Sequence, residues 1–262
     1  MLLQNIFSEI EQLDPEVYER LNSRRNMFRF GAKVAAAAVP MAFGASLKSA
    51  YGQGTSGIVD VLNFALTLEY LERDFYYRGL ETVIPGAQRI AFHEIWMHEN
   101  AHVNFLRSAI TSLGGTPVSN LKFDFTAKGA FPTVFSNFEV FKTVSQAFED
   151  TGVRAYKGQA GNLMSAKPIL QAALQIHSVE ARHAAAIRKM RNVSPWVSFA
   201  DGEGAPAAIY AGENMLIQGT SNPINVSSVS VAFGVDDKAV SESFDEPLSK
   251  EQVLAIVTPF LA

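Results

Sequence analysis

Residues 96–106 read WMHENAHVNFL, and residues 176–187 read IHSVEARHAAAI. In each stretch, a glutamate and a histidine three positions later lie among apolar residues that are typical of a protein core. The two pairs are Glu99 with His102 and Glu180 with His183. Side chains three residues apart lie on the same face of a helix, so both members of a pair reach one interior volume. A buried carboxylate is costly unless it is paired, and the two stretches therefore predict a shared polar site inside a helical core.

Four segments with helical periodicity carry these pairs and two further glutamates. Their apolar residues recur at steps of three and four, which draws one buried stripe along each helix. Pro85-Gly86 and Gly114-Gly115 mark breaks in the chain, and Pro168 suits the first turn of the fourth segment. The polar positions on the stripes are, in chain order, Glu69, then Glu99 with His102, then Glu149, then Glu180 with His183.

The four segments form an internal repeat. Glu69 precedes Glu99 by 30 residues, and Glu149 precedes Glu180 by 31. Residues 114–136 join the two halves and form a long connection rather than a tight turn. We therefore predict an all-α fold, a four-helix bundle with one long crossover, which is the ferritin-like topology.

The glutamates on these stripes would repel each other in one interior, whereas two divalent metal ions would satisfy them. One glutamate from each of two helices, with Glu-x-x-His from each of the other two, is the ligand set of di-iron and di-manganese bundles. Such ligands suit iron or manganese, and zinc also binds them. The predicted metal ligands are Glu69, Glu99, His102, Glu149, Glu180 and His183.

Glu72 is a further carboxylate on the first stripe, and its counterpart in the second half is Gly152. It is either an additional metal ligand or a hydrogen-bond acceptor beside the site. The alternative is a helix-edge residue paired with a cation such as Arg73 or Arg182. The sequence does not decide between these roles.

Several other residues lie beside the predicted ligands. Tyr76 and Tyr156 each follow a single glutamate by seven residues, and we favour packing over hydrogen bonds to the ligands for both. Trp96 lies near the stripe and is expected to shield the site from water. Three other histidines fall off the stripes, which favours surface positions: His93, His98 and His177. The candidates for hydrogen bonds to the ligand histidine rings are Asp74, Asp150 and Arg182.

The N-terminal part contains a targeting pattern. Residues 23–29 read SRRNMFR ahead of a weakly apolar, Ala-rich run, which is typical of a twin-arginine export signal. Lys33, Pro40 and Lys48 make this run a poor membrane span. We expect export to the periplasm or cell envelope by the twin-arginine machinery, without a permanent membrane span.

The composition changes at both ends of the repeat. The predicted divisions are an N-terminal extension with the export signal at 1–52, the bundle at 53–191, and a C-terminal extension at 192–262. We expect this last part to be mixed, mostly irregular and packed on the bundle. Within it, INVSSVSVAFG at 224–234 reads as a short strand, and Ser249 with Gln252 forms a capping-box signature before a closing helix.

The composition also excludes several kinds of function. Acidic and basic residues are intermixed with a net charge of −4, so no positive field supports nucleic-acid binding. The absence of cysteine excludes disulfides, thiolate metal sites and iron–sulfur clusters. At 262 residues and 48% hydrophobic composition, the chain is long enough to bury a full core.

Four stretches resemble the ferritin-like domain family, which includes twin-arginine-exported bacterial members and plant desiccation-related proteins. They are VLNFALTLEYLERDFYYRGL (61–80), HENAHVNFLRSAI (98–110), AFEDTGVRAYKG (147–158) and HSVEARHAAAIR (177–188). The resemblance implies a metal-binding bundle without a settled reaction, because a fold does not fix a function.

Two functions follow as hypotheses. In the first, two iron or manganese ions support oxidoreductase or metal-oxidation chemistry, with oxygen, peroxide or ferrous iron as the substrate. In the second, the desiccation-related resemblance favours a non-catalytic stress-protective or envelope structural protein with a structural or vestigial metal site. The sequence leaves open whether the protein is an enzyme, which metal it binds and whether it forms a homo-oligomer.

Overall fold

A computed structural model of the protein describes residues 56–218 and 224–262. The predicted export signal and the rest of the N-terminal extension, residues 1–52, lie outside these ranges. Within the described ranges, none of the helices combines the length and the apolar character that crossing a bilayer requires. The four long helices are α1 (Ser56–Thr82), α2 (Arg89–Ser112), α3 (Phe138–Ala160) and α4 (Lys167–Met190).

The four helices form two hairpins, in which α1 packs against α2 and α3 packs against α4. Local signals explain the helix ends. The Asn137 side chain accepts hydrogen bonds from the first backbone N–H groups of α3, and Pro168 lies in the first turn of α4. After α2, Gly114 has a φ of 81°, which favours glycine and turns the chain into the crossover. The predicted all-α four-helix bundle with one long crossover is confirmed.

Two apolar clusters fill the bundle on either side of an acidic belt. The belt is formed by the buried carboxylates of Glu69, Glu99, Glu149 and Glu180. One cluster contains aromatic side chains such as Phe75, which stacks on Phe141 with ring centroids 4.5 Å apart. The other contains aliphatic side chains such as Leu66, Leu106 and Ile169. Because both clusters are apolar, they shield the belt between them from water along the bundle axis.

The C-terminal extension closes over α3 with a helix and an extended end. Helix α7 (Lys250–Val257) follows Ser249, and the predicted capping box with Gln252 is confirmed. A glycine is required where the extension crosses α3, because a Cβ on Gly158 would lie 2.0 Å from the carbonyl oxygen of Leu248. Beyond α7, the Asp124 N–H of the crossover donates to the Phe260 carbonyl at 2.8 Å, which joins the end of the chain to the crossover.

The remaining elements of the extension are short. They are the antiparallel strands β1 (Ile217–Gln218) and β2 (Ile224–Asn225), the helices α5 (Ser227–Phe233) and α6 (Asp237–Ser241), and the 3-10 helix Ala207–Tyr210. The predicted strand over 224–234 is therefore wrong beyond Asn225. The Asn225 side chain accepts from the Ser227 N–H, and Gly234 ends the helix with a φ of 66°. The Asn225 turn before the helix and the left-handed Gly234 at its end outweigh the strand preference of the valines.

Candidate metal centre

Each of the six predicted ligands lies in the bundle interior. Helices α1 and α3 contribute the single glutamates, and α2 and α4 contribute the Glu-x-x-His pairs. The four glutamates have no exposed surface, and both histidines are buried. A helix brings positions i and i+3 to the same side, so the glutamate and histidine of each pair point inward together.

The described part of the chain contains two groups of four residues whose potential ligand atoms lie within 4.8 Å of one another. The first group is Glu69, Glu99, His102 and Glu180. The second group is Glu99, Glu149, Glu180 and His183. Glu99 and Glu180 belong to both groups, so the two groups share two carboxylates. Each group also has one histidine and one glutamate of its own.

Each predicted ligand histidine directs one ring nitrogen at several carboxylates. His102 Nδ1 lies 3.1 Å from Glu69 Oε2 and 3.0 Å from Glu99 Oε2. It also lies 3.3 Å from Glu180 Oε1. His183 Nδ1 lies 2.8 Å from Glu99 Oε1 and contacts a second carboxylate. One Nδ1–H has a single proton for two or three carboxylates. A divalent cation would therefore satisfy these carboxylates better than the imidazole does.

The pKa values of these groups reflect the shortage of positive charge. Burial raises the pKa of Glu69 to about 7. Burial and then the charge of Glu99 raise the pKa of Glu180 well above its ordinary value. Burial by itself lowers the pKa of His183, but the Glu149 and Glu99 carboxylates raise it to about 11. A divalent metal bound here would displace protons, and its affinity would therefore rise with pH.

Glu180 gives the clearest test of whether metal ions fit this site. Neither of its oxygens accepts a directed hydrogen bond, although His102 Nδ1 lies 3.3 Å from Oε1. A buried carboxylate with unsatisfied oxygens carries the full cost of its lost hydration. Divalent ions with oxygen and imidazole ligands match the donors present, so the residues fit bound metal.

Glu72 faces the same interior but belongs to neither group. It is buried, and Arg73, one of its predicted partners, donates to Asp74 at 2.8 Å instead. A Cβ added to Gly152 would lie 3.1 Å from Glu180 Oε2 and 3.3 Å from Glu72 Oε1. Burial and then the charge of Glu180 raise the pKa of Glu72 well above its ordinary value. Glu72 is thus a fifth buried carboxylate beside the site, and the missing side chain of Gly152 gives it room.

We expect Gly152→Ala to lower the affinity for divalent metal by about tenfold, because the added methyl group presses on a shared carboxylate. Alanine favours a helix over glycine by about 1 kcal/mol, so the fold itself should not be weakened. Calorimetric titration with Mn²⁺ measures the affinity. Gly161→Ala is the matched control, because a Cβ at Gly161 meets no other atom within 4 Å. Equal affinities in the two variants would contradict the predicted crowding at the site.

Two tyrosines connect the halves of the repeat. The Tyr76 hydroxyl of α1 donates to Glu149 Oε1 of α3 at 2.5 Å, and the Tyr156 hydroxyl of α3 donates to Glu69 Oε1 of α1. The rings pack in the apolar clusters as predicted, but the preference for packing over hydrogen bonding is wrong, because both occur. Each hydroxyl holds one oxygen of an unshared glutamate, which orients the other oxygen toward the site.

His98 touches the site, although its position off the stripe predicted a surface role alone. The residue is exposed, yet His98 Nδ1 lies 2.9 Å from His183 Nε2. His183 directs its other nitrogen, Nδ1, at the carboxylates, so His98 holds the outer edge of that ring and fixes its orientation. The four-residue spacing from His98 to His102 places both on one side of α2 and is the signal that could have indicated this role.

The predicted partners of the histidine rings have other contacts. Arg188 Nη2 and the Tyr210 hydroxyl each donate to Asp150 Oδ2 at 2.6 Å, which ties the C-terminal extension to α3 and α4. Asp74 accepts from the arginine beside it, and Arg182 is exposed. Asp150 therefore supports the backbone next to a ligand position rather than a histidine ring.

The other neighbours lie at the edges of the bundle. Trp96 is half-buried, and its ring centroid lies 5.5 Å from that of His93 and 6.1 Å from that of Tyr77. His177 is half-buried and its Nδ1 lies 3.0 Å from the Val153 carbonyl oxygen. None of these residues belongs to the two groups of potential ligands in the described chain.

The fold and the interior residues define a class of protein, a four-helix bundle whose buried glutamates and histidines could hold metal ions. A family model described as the ferritin-like domain matches residues 57–193, just over half of the chain, and the protein belongs to this family. A comparison with curated proteins found no match. The predicted ferritin-like relationship is confirmed at this level, and the narrower likeness to exported and desiccation-related members stays a prediction.

Proposed function

We propose that the protein binds two divalent metal ions, iron or manganese, and acts as an oxidoreductase with oxygen or peroxide. The observation that carries this proposal is that Glu99 and Glu180 each belong to both groups of potential ligands. A structural metal needs only one closed set of ligands, whereas two ions joined by shared carboxylates can exchange two electrons with one substrate.

The donor set supports iron or manganese as the metal. Four carboxylates and two imidazoles supply mainly hard oxygen donors, and the chain has no cysteine sulfur. Copper prefers more nitrogen or sulfur, while zinc competes for the same ligands. The metal that the protein carries therefore depends on supply as well as on the site.

Two bound ferrous ions would supply two electrons, which with two protons convert one oxygen molecule to hydrogen peroxide. The residues of the chain prepare the space for this chemistry. Tyr76 and Tyr156 hold the unshared glutamates in place. The apolar clusters on both sides exclude water, which strengthens every electrostatic interaction inside. His98 links the buried His183 to the solvent-exposed side of α2.

Export of the folded protein is a second part of the proposal. The SRRNMFR stretch at residues 23–29 supports it, since paired arginines before a weakly apolar run are typical of twin-arginine signals. This route transports chains that have already folded, so a metal bound in the cytoplasm would travel with the protein to the periplasm or cell envelope.

Metal content and oxidation, measured on one preparation, test the proposal. After anaerobic loading with ferrous iron, we expect about two ions per chain and a ferric absorbance once oxygen or peroxide is added. Glu99→Ala should lose both the iron and the absorbance while remaining folded. Glu94→Ala is the control, because Glu94 is an exposed glutamate on the same helix and should keep both.

The same experiment separates the alternative functions. Two tightly bound ions without oxidation by oxygen or peroxide would favour the stress-protective or envelope structural protein. In that case the metal is structural, and Glu99→Ala should unfold the chain. A folded protein that binds no metal under these conditions would contradict the proposed function.

A further inference from the structure

A small cavity lies one helical turn from the first group of potential ligands. Its volume is about 20 Å³, which exceeds the roughly 10–15 Å³ that one water molecule requires. Three of its wall residues stand four positions from a potential ligand on their helices: Ala65 before Glu69, Leu106 after His102, and Ile176 before Glu180. The cavity therefore occupies the layer of the bundle directly next to the site.

The wall of this cavity is almost entirely apolar. Only Tyr156 and Gln159 carry polar side-chain atoms. The Tyr156 hydroxyl already donates to Glu69, and Gln159 Oε1 accepts from Asn162 Nδ2 at 2.9 Å. At most the Gln159 amide nitrogen is left for a guest, whereas a buried water needs two to four polar partners. The cavity therefore favours an apolar occupant over water.

The wall of the cavity includes half-buried residues and one residue that contacts the site. Val61 and Phe105, which form part of its wall, are half-buried and place its outer end between α1 and α2. At its inner end, the ring of Tyr156 forms the wall and the hydroxyl of the same residue bonds Glu69. Tyr156 thus contacts both the cavity and Glu69 of the first group of potential ligands.

We propose that this cavity binds molecular oxygen, and that oxygen rather than peroxide is the oxidant used by the site. The inference rests on the proposed function. Oxygen is small and apolar and loses little by leaving water for such a cavity. Hydrogen peroxide carries two O–H donors and four lone pairs, which this wall would leave unsatisfied at a cost. The wall therefore selects between the two oxidants by polarity.

Xenon tests the cavity without any metal reaction, because apolar cavities that stay dry bind it. We expect xenon to bind the full chain in a ¹²⁹Xe NMR titration. Ala65→Val and Ala173→Val fill the cavity from two different helices and should each remove the xenon site in this cavity, while the larger apolar pocket lined by Phe131, Phe148 and Ile209 keeps any xenon of its own. Ala101→Val is the matched control, because Ala101 is exposed on α2 and the substitution should leave xenon binding unchanged. Thermal unfolding identifies any variant that fails to fold. If one of the two cavity variants does not fold, the other one still tests the inference.

Oxidation kinetics of the iron-loaded protein test the choice of oxidant. In both cavity variants we expect the rate with oxygen to fall about tenfold and the rate with peroxide to stay within about twofold, at equal iron content. Xenon binding that is absent from the wild type or unchanged in both cavity variants, or an equal change with both oxidants, would overturn the inference and leave the proposed function standing. A wild type that binds xenon but no iron would overturn the proposed function, and the oxygen assignment with it.

Discussion

Glu180→Gln is expected to abolish the binding of both metal ions, whereas Glu69→Gln is expected to remove only one. Glu180 belongs to both groups of potential ligands, while Glu69 belongs to the first alone. Glutamine keeps the volume of the side chain but removes one negative charge and offers the metal only a weaker, neutral oxygen donor. Elemental analysis after anaerobic loading should give about two ions per chain for the wild type, about one for Glu69→Gln and about none for Glu180→Gln.

Thermal unfolding separates the loss of a ligand from the loss of the fold. A metal that binds only the folded chain stabilises it by about 4 kcal/mol at about a thousand times its Kd, so metal should raise the Tm of the wild type. Metal should not raise the Tm of Glu180→Gln. Without metal, this variant should be at least as stable as the wild type, because burial and the carboxylates around Glu180 already disfavour its charge. A lower Tm without metal would show that Glu180 has a structural role instead.

Arg154→Met is expected to lower the free energy of unfolding by about 3–5 kcal/mol, because it leaves a buried carboxylate without its cation. Arg154 donates to the Glu246 carbonyl at 2.7 Å and to the Ala211 carbonyl at 2.6 Å. Its Nε also lies 2.7 Å from Glu213 Oε1, and both side chains are buried. Methionine occupies similar space but replaces none of these contacts. Urea unfolding measures the loss.

A double variant distinguishes two causes of this loss, the unpaired charge of Glu213 and the lost packing of the Arg154 side chain. Burial raises the pKa of Glu213 to about 7, and Arg154 is the cation that opposes this rise. Arg154→Met combined with Glu213→Gln should therefore recover a large part of the stability that Arg154→Met loses. Arg182→Met, which changes an exposed arginine, should stay within about 0.5 kcal/mol of the wild type. Arg154→Met could instead lower the free energy of unfolding by no more than this control does. Because the contacts of Arg154 join α3 to the C-terminal extension, that result would mean that the extension unfolds separately from the bundle.

The positions of the six inward residues could be predicted because they depend on helix geometry alone. Glu99 and His102 share a face whatever the neighbouring helices do, and the equal spacing in the second half repeats the argument for Glu180 and His183. The bundle topology followed from the repeat and from the length of the crossover. Local rules also sufficed for the capping box of Ser249, since its two hydrogen bonds lie within one turn.

Contacts between helices could not be predicted in the same way. Tyr76 bonds a glutamate 73 residues further along the chain, which depends on how α1 lies against α3. His98 lies off the apolar stripe of α2, and only the packing of α2 against α4 brings it to His183. In the extension, the Asn225 side chain forms a turn just before a helix where the valines alone favour a strand.

Each of the two groups of ligands draws on both hairpins, since the first takes Glu180 from α4 and the second takes Glu99 from α2. Neither hairpin can assemble a complete set of ligands before the other has docked against it. The site can therefore first bind metal in the cellular compartment where the two hairpins dock, and from the ions available there. For a chain that is exported after folding, the choice between iron, manganese and zinc would be made before export, whatever ions surround the protein afterwards.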